Sequence, residues 1–368
     1  MNWWSLKEGW RWLLVSALLG SCLYSEATSN AKVHLNGEWT AFEHSDVTPS
    51  FAPMVDIESP TTRIYVSISS FRDYRCPNTL RNLFTKAAYP DRIRVGLIHQ
   101  PRQETSDKDC LKEYCAMMGA SSNNAKCKYR DNISNMEMSA IDSKGPSFSR
   151  YLHSLMLADE EFYLQIDSHM DFVSEWDVQL LREWSASGNE FAILSSYPAD
   201  ISQLTASKTG SKAHLLKETP YLCKASFTKA HLVRYERPVG LLNLPAPTLQ
   251  PYWSSMFSFS RSHAMRRVPH DPNLQQAYDG VDFSISARLW TRGYDFYAPS
   301  KSMIFHDYKA AMNPAAKAAN DKAQGKEHVE WVAWTENGIS PTLTLTLTLT
   351  LTLTLTLTLT LTLTLTDR

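Results

Sequence analysis

Between residues 64 and 98 the chain changes its hydrophobic period twice, and this stretch restricts the fold more than any other. Ile64-Tyr65-Val66-Ser67-Ile68 is a β-branched run that ends in Ser69-Ser70-Phe71-Arg72-Asp73. Pro77 to Ala88 follows, with Leu80, Leu83 and Phe84 at helical spacing, and then Ile93-Arg94-Val95-Gly96-Leu97-Ile98 is extended again. Strand, helix and strand in so short a length form a crossover unit, which makes its two strands parallel. The alternation continues. A helix is expected from Ser147 to Leu157, a strand over Glu161–Ile166, and a helix from Ser174 or Asp177 to Trp184. Further strands are expected over 191–196, 252–259, 294–298 and 303–305, and a helix over 283–290. Residues 101–135 read as irregular, and 199–250 as loops with short strands. The fold class is α/β, a Rossmann-like, mainly parallel sheet flanked by helices.

The two ends stand apart from this pattern. Trp12–Tyr24 is apolar, preceded by Lys7 and Arg11 and followed by Ser25, Ala27 and Thr28, the order of a secretory signal or an uncleaved type II anchor. A buried N-terminal helix is the competing reading. Residues 1–30 are therefore taken as leader, 31–60 as stem, 61–308 as the working domain and 309–341 as a weakly structured extension. Residues 342–366 alternate 13 Thr with 12 Leu. A strand of that length far exceeds the usual ~3–10 residues. Alternating CTA and ACC codons would spell it, and they also spell the complement of a common telomeric repeat, so the tail reads as a frame running into chromosome-end DNA. Mixed synonymous codons in the gene would refute that.

Composition enters as an exclusion. The formal net charge of −1 argues against a nucleic-acid binder. No interior apolar run is long enough for several membrane spans. Cys76, Cys110, Cys115, Cys127 and Cys223 lie outside the leader, and the closeness of the middle three suits either a disulfide in a lumenal protein or buried free thiols. Asn132-Ile133-Ser134 is a glycosylation sequon.

In an open parallel sheet, ligands bind beyond the carboxyl ends of the strands. Those ends here carry Arg72-Asp73, Asp167-Ser168-His169, Ser195-Ser196 and His306-Asp307. Residues two apart on an extended chain face the same way. Asp167 and His169 thus offer a carboxylate oxygen and an imidazole nitrogen to one spot, a pairing suited to Mn²⁺ or a similar divalent ion, with His306 as a third ligand. The alternative is that Asp167 caps the next helix while His169 sits on the surface. No serine-hydrolase elbow, P-loop or dinucleotide glycine motif is present.

Six blocks then resemble a known family: Ile64–Arg75, Lys144-Gly145-Pro146 with Arg150-Tyr151, Tyr163–Met170, Val268–Pro272, Ala287–Pro299 and Phe305–Tyr308. The chain resembles the polypeptide N-acetylglucosaminyltransferases of the group that contains the hydroxyproline-directed enzyme acting on a ubiquitin-ligase adaptor. The resemblance implies a GT-A fold, a UDP-GlcNAc donor, a polypeptide acceptor, retention of anomeric configuration and a divalent cation, Mn²⁺ or another such as Mg²⁺. It implies Asp167, His169 and His306 as metal ligands, and Ser69, Phe71, Arg72, Asp73, Arg150 and Asp167 around the donor. Where the family shows Gly-Glu-Glu, this chain has Gly280-Val281-Asp282, which leaves Asp282 as the candidate catalytic carboxylate. A helix-terminal acid favoured by the dipole is the bland account of Asp282.

On this reading a peptide hydroxyl attacks the sugar from the leaving-group face, with no protein nucleophile in evidence. A non-catalytic sugar-nucleotide or glycan-binding relative, or a transferase using another UDP-sugar, accounts for the same blocks. The leader points to the secretory pathway, either Golgi lumen or an N-terminal membrane anchor, whereas the hydroxyproline-directed relatives are cytoplasmic.

Overall fold

Ile64, Val66 and Ile68 belong to one apolar cluster, while Tyr65 between them belongs to another with Tyr163 and Met265. All four are fully or almost fully buried. A strand whose alternate side chains are all buried must be covered on both faces, and that requirement organises the molecule. The computed structural model describes residues 32–35, 38–41, 55–102, 107–120, 126–207, 218–229 and 231–309. The leader, the Thr-Leu tail and all of the extension beyond Lys309 lie outside the described residues.

In chain order the elements are β1 (Lys32–Leu35), β2 (Glu38–Ala41), β3 (Ile64–Phe71), α1 (Cys76–Thr85), β4 (Ile93–Gln100), α2 (Cys110–Met117), β5 (Ile133–Glu137), α3 (Pro146–Met156), β6 (Phe162–Asp167), β7 (Met170–Phe172), α4 (Trp176–Ala186), β8 (Ala192–Ser195), β9 (Ala199–Asp200) and α5 (Ile201–Ser207). There follow β10 (Glu218–Tyr221), β11 (Ala225–Phe227), β12 (Val233–Tyr235), β13 (Val239–Leu242), β14 (Thr248–Gln250), β15 (Phe257–Arg261), α6 (His263–Arg267), α7 (Val281–Trp290), β16 (Asp295–Ala298) and β17 (Ile304–His306). The central sheet has eight strands in the order β14-β16-β8-β15-β6-β3-β4-β5. The pairings run β3, β4, β5, β6, β8 and β16 in one direction and β14 and β15 against them, so the sheet is mainly parallel.

One face carries α1 and α4, through Leu80, Leu83 and Phe84 and through Trp176, Leu180 and Trp184. The other carries α6 and α7, through Ala264, Ile285 and Leu289, packed with Trp253 and Phe296. A three-stranded sheet, β7-β17-β9, closes over the carboxyl ends. Among the described residues no helix is long and apolar enough to cross a membrane.

Several elements differ from the sequence expectation, each for a physical reason. The strand expected over 252–259 begins only at Phe257, because the backbone N–H groups of Trp253 and Ser254 donate to Ser286 Oγ at 3.3 Å and Ser195 Oγ at 2.8 Å, in place of ladder bonds. The 101–135 stretch holds α2 and the edge strand β5, which periodicity missed because both are short. Cys110 opens that helix and is bridged to Cys76, and Cys115 is bridged to Cys127. No free thiol is found among the described cysteines. The segment read as a stem contributes β1 and β2, which extend the β10-β13 ladder. Neither Ser174 nor Asp177 caps α4; Glu175, at φ 58°, occupies that position. Asp177 is instead buried with Arg92, 2.8 Å apart and both wholly inaccessible. Asn132 of the sequon donates its amide to the carbonyls of Ile93 (2.9 Å) and Asp91 (3.3 Å), so a glycan on that nitrogen would take one of the two donor hydrogens.

Candidate metal and donor site

β3 and β6 are parallel and place Ser69 opposite Asp167 at their carboxyl ends. β17 then lies antiparallel to β7 with His306 opposite Met170, and Asp307 N–H donates to the His169 carbonyl at 3.0 Å. That ladder carries His306, far away in sequence, to the Asp167–His169 turn. Thr79 of α1 ties the turn down by donating to the Ser168 carbonyl at 2.7 Å and accepting from the Met170 N–H at 2.9 Å.

The side chains of Asp167, His169 and His306 converge, with one ligand atom from each lying within 4.8 Å of the others. His169 Nε2 and His306 Nε2 are 2.8 Å apart, and His306 Nε2 is 3.3 Å from Asp167 Oδ2. Ligands at right angles on a metal with bonds of ~2.1 Å sit about 3 Å apart, so these spacings fit a shared divalent ion. The donor set of one carboxylate and two imidazoles fits it too. His169 Nδ1 donates to Asp73 Oδ2 at 2.7 Å, which leaves the Nε2 lone pair directed at the centre. The His306 Nδ1 atom is buried with no hydrogen-bond partner.

The electrostatics agree with this arrangement. Burial alone raises the Asp167 carboxyl, but the His306 hydrogen bond and the Arg150 charge outweigh it and hold the group at about 2. Arg150 Nη2 lies 3.3 Å from Asp167 Oδ1. Burial opposes charge on His169 as well, and the Asp73 and Asp167 carboxylates more than offset it, raising its pKa. Asp282 behaves in the opposite way. Burial raises its pKa, against the pull of Arg150 and of hydrogen bonds from the Ser255 side chain and backbone, and the Asp167 charge adds to the rise. Asp282 thus shares the field of Arg150 and Asp167. At the position before it Val281 is buried, 5% exposed.

The strand-end segment matches the expectation less directly. Ser69 Oγ pairs with His153 Nε2 at 3.1 Å. Arg72, at φ 52°, grips Asp107 through Nε at 2.7 Å and Nη2 at 3.1 Å. Asp73 uses Oδ1 for the Arg75 N–H and Oδ2 for Ser168 and His169. Of the four strand-end residues among the six expected around the donor, three therefore hold protein partners, and Phe71, 38% exposed, is the one presented outward. Asp73 thus braces the imidazole of His169, one of the three converging side chains.

Sequence reasoning missed Thr79, Arg75, which pairs with Asp307 at 3.2 Å, and Gln165. Asp307 stands beside His306 in a block already singled out; Thr79 carries no local signal.

Residues 63–333 match the family model described as "Glycosyltransferase (GlcNAc)". That match extends past Tyr308, where the resembling blocks end. A search of curated proteins by sequence finds no match. Among solved structures the chain is similar to GalNAc-T7 in complex with UDP, GalNAc and Mn²⁺, at 13% identity and TM-score 0.47, over 67% of this chain and 43% of that one. It is similar to the mannosyltransferase PcManGT of Pyrobaculum calidifontis with GDP-Man and Mn²⁺, at 11% identity and TM-score 0.39, over 68% and 57%. It is also similar to residues 1–349 of S. aureus TarS, at 14% identity and TM-score 0.40, over 67% and 60%. The matched region thus spans 43–60% of the length of these structures.

Proposed function

The chain belongs to the GlcNAc glycosyltransferase family and is an enzyme, and from that premise we propose that it has a GT-A fold and is a retaining, UDP-GlcNAc-dependent polypeptide α-N-acetylglucosaminyltransferase. The acceptor is a Thr, Ser or hydroxyproline hydroxyl. The observation that carries the reading is the convergence of Asp167, His169 and His306 at the carboxyl ends of β6 and β17, with Arg150 against Asp167.

Asp167, His169 and His306 would hold a divalent cation, Mn²⁺ or Mg²⁺, which would supply positive charge against the donor diphosphate. Arg150 adds a fixed cation beside the same phosphates. Phe71 offers its exposed ring at the end of β3, and on this reading it would pack against the nucleoside. Asp282 orients the sugar or the acceptor hydroxyl, and its raised pKa suits a group that both accepts and returns a proton.

The proposed compartment is the secretory pathway, in the Golgi lumen or anchored there through the N-terminus. The Cys76–Cys110 and Cys115–Cys127 bridges support it, since such bonds persist in oxidising lumens. So does the charged-apolar-small leader.

The test is UDP release from UDP-GlcNAc with Mn²⁺, first without acceptor and then with Thr-rich and hydroxyproline peptides. Asp167→Asn should lose about 100-fold or more in kcat/KM. Equal background release from wild type and variant would sink the reading. A panel of UDP-sugars separates GlcNAc from other donors.

A further inference from the structure

α3 meets the sheet differently from α1, α4 and α7. Its buried residues are Ser147, Ser149 and His153, with no apolar side chain among them. Met156 and Leu157 at its end are only partly buried, against the Tyr65–Tyr163 cluster. Hydrogen bonds therefore seat the helix. Gln100 Nε2 donates to Ser149 Oγ at 3.1 Å. His153, wholly inaccessible, lies between two hydroxyls of β3, with Nδ1 3.2 Å from the Tyr65 hydroxyl and Nε2 3.1 Å from Ser69 Oγ. β4 makes room for this arrangement. Gly96 stands inside that strand, and a Cβ there would collide with the Tyr65 hydroxyl and lie 3.0 Å from His153 Nδ1.

The same helix carries Arg150, three residues before His153 and so on the same face. Arg150 Nη2 lies 3.3 Å from Asp167 Oδ1. Ser69 and Asp167 are register partners on β3 and β6. One face of α3 thus meets two neighbouring strand ends, His153 at the first and Arg150 at the second.

We propose that His153 is a positioning residue for donor binding: held by Ser69 and Tyr65, it fixes α3 on the sheet so that the Arg150 guanidinium stands at Asp167, against the donor diphosphate. The inference rests on the reading of Arg150 as the cation beside that diphosphate. An apolar residue at 153 would strip the Ser69 and Tyr65 hydroxyls of this partner. It would leave α3 the Gln100–Ser149 bond and its terminal apolar contacts. N–H···O bonds weaken beyond about 3.2 Å, so a shift of about 1 Å in the helix takes the guanidinium out of reach of a phosphate oxygen.

The test is a double-mutant cycle in the full chain, read by UDP affinity in calorimetry with Mn²⁺ present, alongside thermal unfolding. His153→Leu removes both bonds and Arg150→Ala removes the cation. His153→Leu should weaken UDP binding about 10-fold, the worth of one charge-assisted hydrogen bond. His153→Gln, whose amide reaches the place of Nε2 and keeps the Ser69 bond, should recover most of that loss. In the Arg150→Ala background the Leu substitution should change UDP affinity by less than about twofold, because its effect passes through Arg150. A residue that merely supports the core would show its full loss in either background. If the Leu variant does not fold, His153→Asn, which keeps the Tyr65 bond and loses the Ser69 bond, takes its place in the cycle with the same coupling expected. Additive losses, or wild-type UDP affinity in the His153 variant, overturn the positioning role and leave the transferase reading intact. Wild-type UDP affinity in Arg150→Ala overturns the Arg150 reading and this inference together. No wild-type turnover on any UDP-sugar overturns the transferase reading separately.

Discussion

At the residue scale, Asp73 is committed to protein partners through both carboxylate oxygens. Its position at the end of β3 suggests contact with the donor, yet both carboxylate oxygens face inward, and Oδ2 accepts from His169 at 2.7 Å. Burial resists its charge, and the hydrogen bond and charge of His169 outweigh that resistance, so its pKa falls below the usual carboxylate range. A carboxylate behind a metal-binding imidazole fixes the ring and raises its basicity. Asp73→Ala should therefore weaken Mn²⁺ binding by about 10- to 100-fold, measured by calorimetry without nucleotide. Unchanged Mn²⁺ affinity with weaker UDP binding would return Asp73 to the donor. Asp167 and His169 were legible in the sequence because an i, i+2 pair at a strand end has one geometry. Asp73 was legible only as a position, because hydrogen-bond partners distant in sequence leave no local trace.

At the element scale, α4 is held to the sheet by more than its apolar face. Asp177, in its first turn, accepts from the backbone N–H groups of Ala88 and Tyr89 and from Arg92, whose guanidinium also donates to the Ile57 and Ser59 carbonyls. Every oxygen of a wholly buried carboxylate is thus satisfied. Removing one member of such a pair strands the other charge away from water, so Asp177→Ala should cost about 3–5 kcal/mol in urea unfolding. A loss below about 1 kcal/mol, the range of exposed pairs, would refute that account. The helix itself was readable from its spacing, but the burial of its acid was not. An aspartate in a helix's first turn reads equally as a cap, a dipole partner or a buried ion, and only the packing of the β3–β4 connection against it selects the last.

For the whole molecule, the polar groups enclosed between sheet and helices set the response to acid. His153 is fully buried on α3, between the Tyr65 hydroxyl at 3.2 Å and Ser69 Oγ at 3.1 Å. Desolvation, helped by the nearby Arg150 charge, depresses it to about 3. The unfolded chain takes up this proton near 6.5 and the folded chain does not, so folding stability falls as pH drops from 6.5 toward 3. The slope is about 1.4 kcal/mol per pH unit for this residue. His270 and His99 are lowered and act in the same sense, whereas His169 is raised and acts in the opposite sense in the metal-free chain. Urea unfolding free energies of His153→Gln between pH 4 and 5.5 should fall with decreasing pH less steeply than wild type by about 1.4 kcal/mol per pH unit, and identical slopes would refute it.

By itself the sequence determined the α/β class, the direction of its main strands and the Asp167–His169 pair, because hydrophobic period and i, i+2 geometry are local. Only the tertiary structure decided that β17 delivers His306 to His169, that Arg72 and Asp73 turn to protein partners, and that His270 reaches Gln165. Those contacts join residues some 30 to 140 positions apart, and no spacing along the chain encodes which of many polar groups a folded core brings within 3 Å.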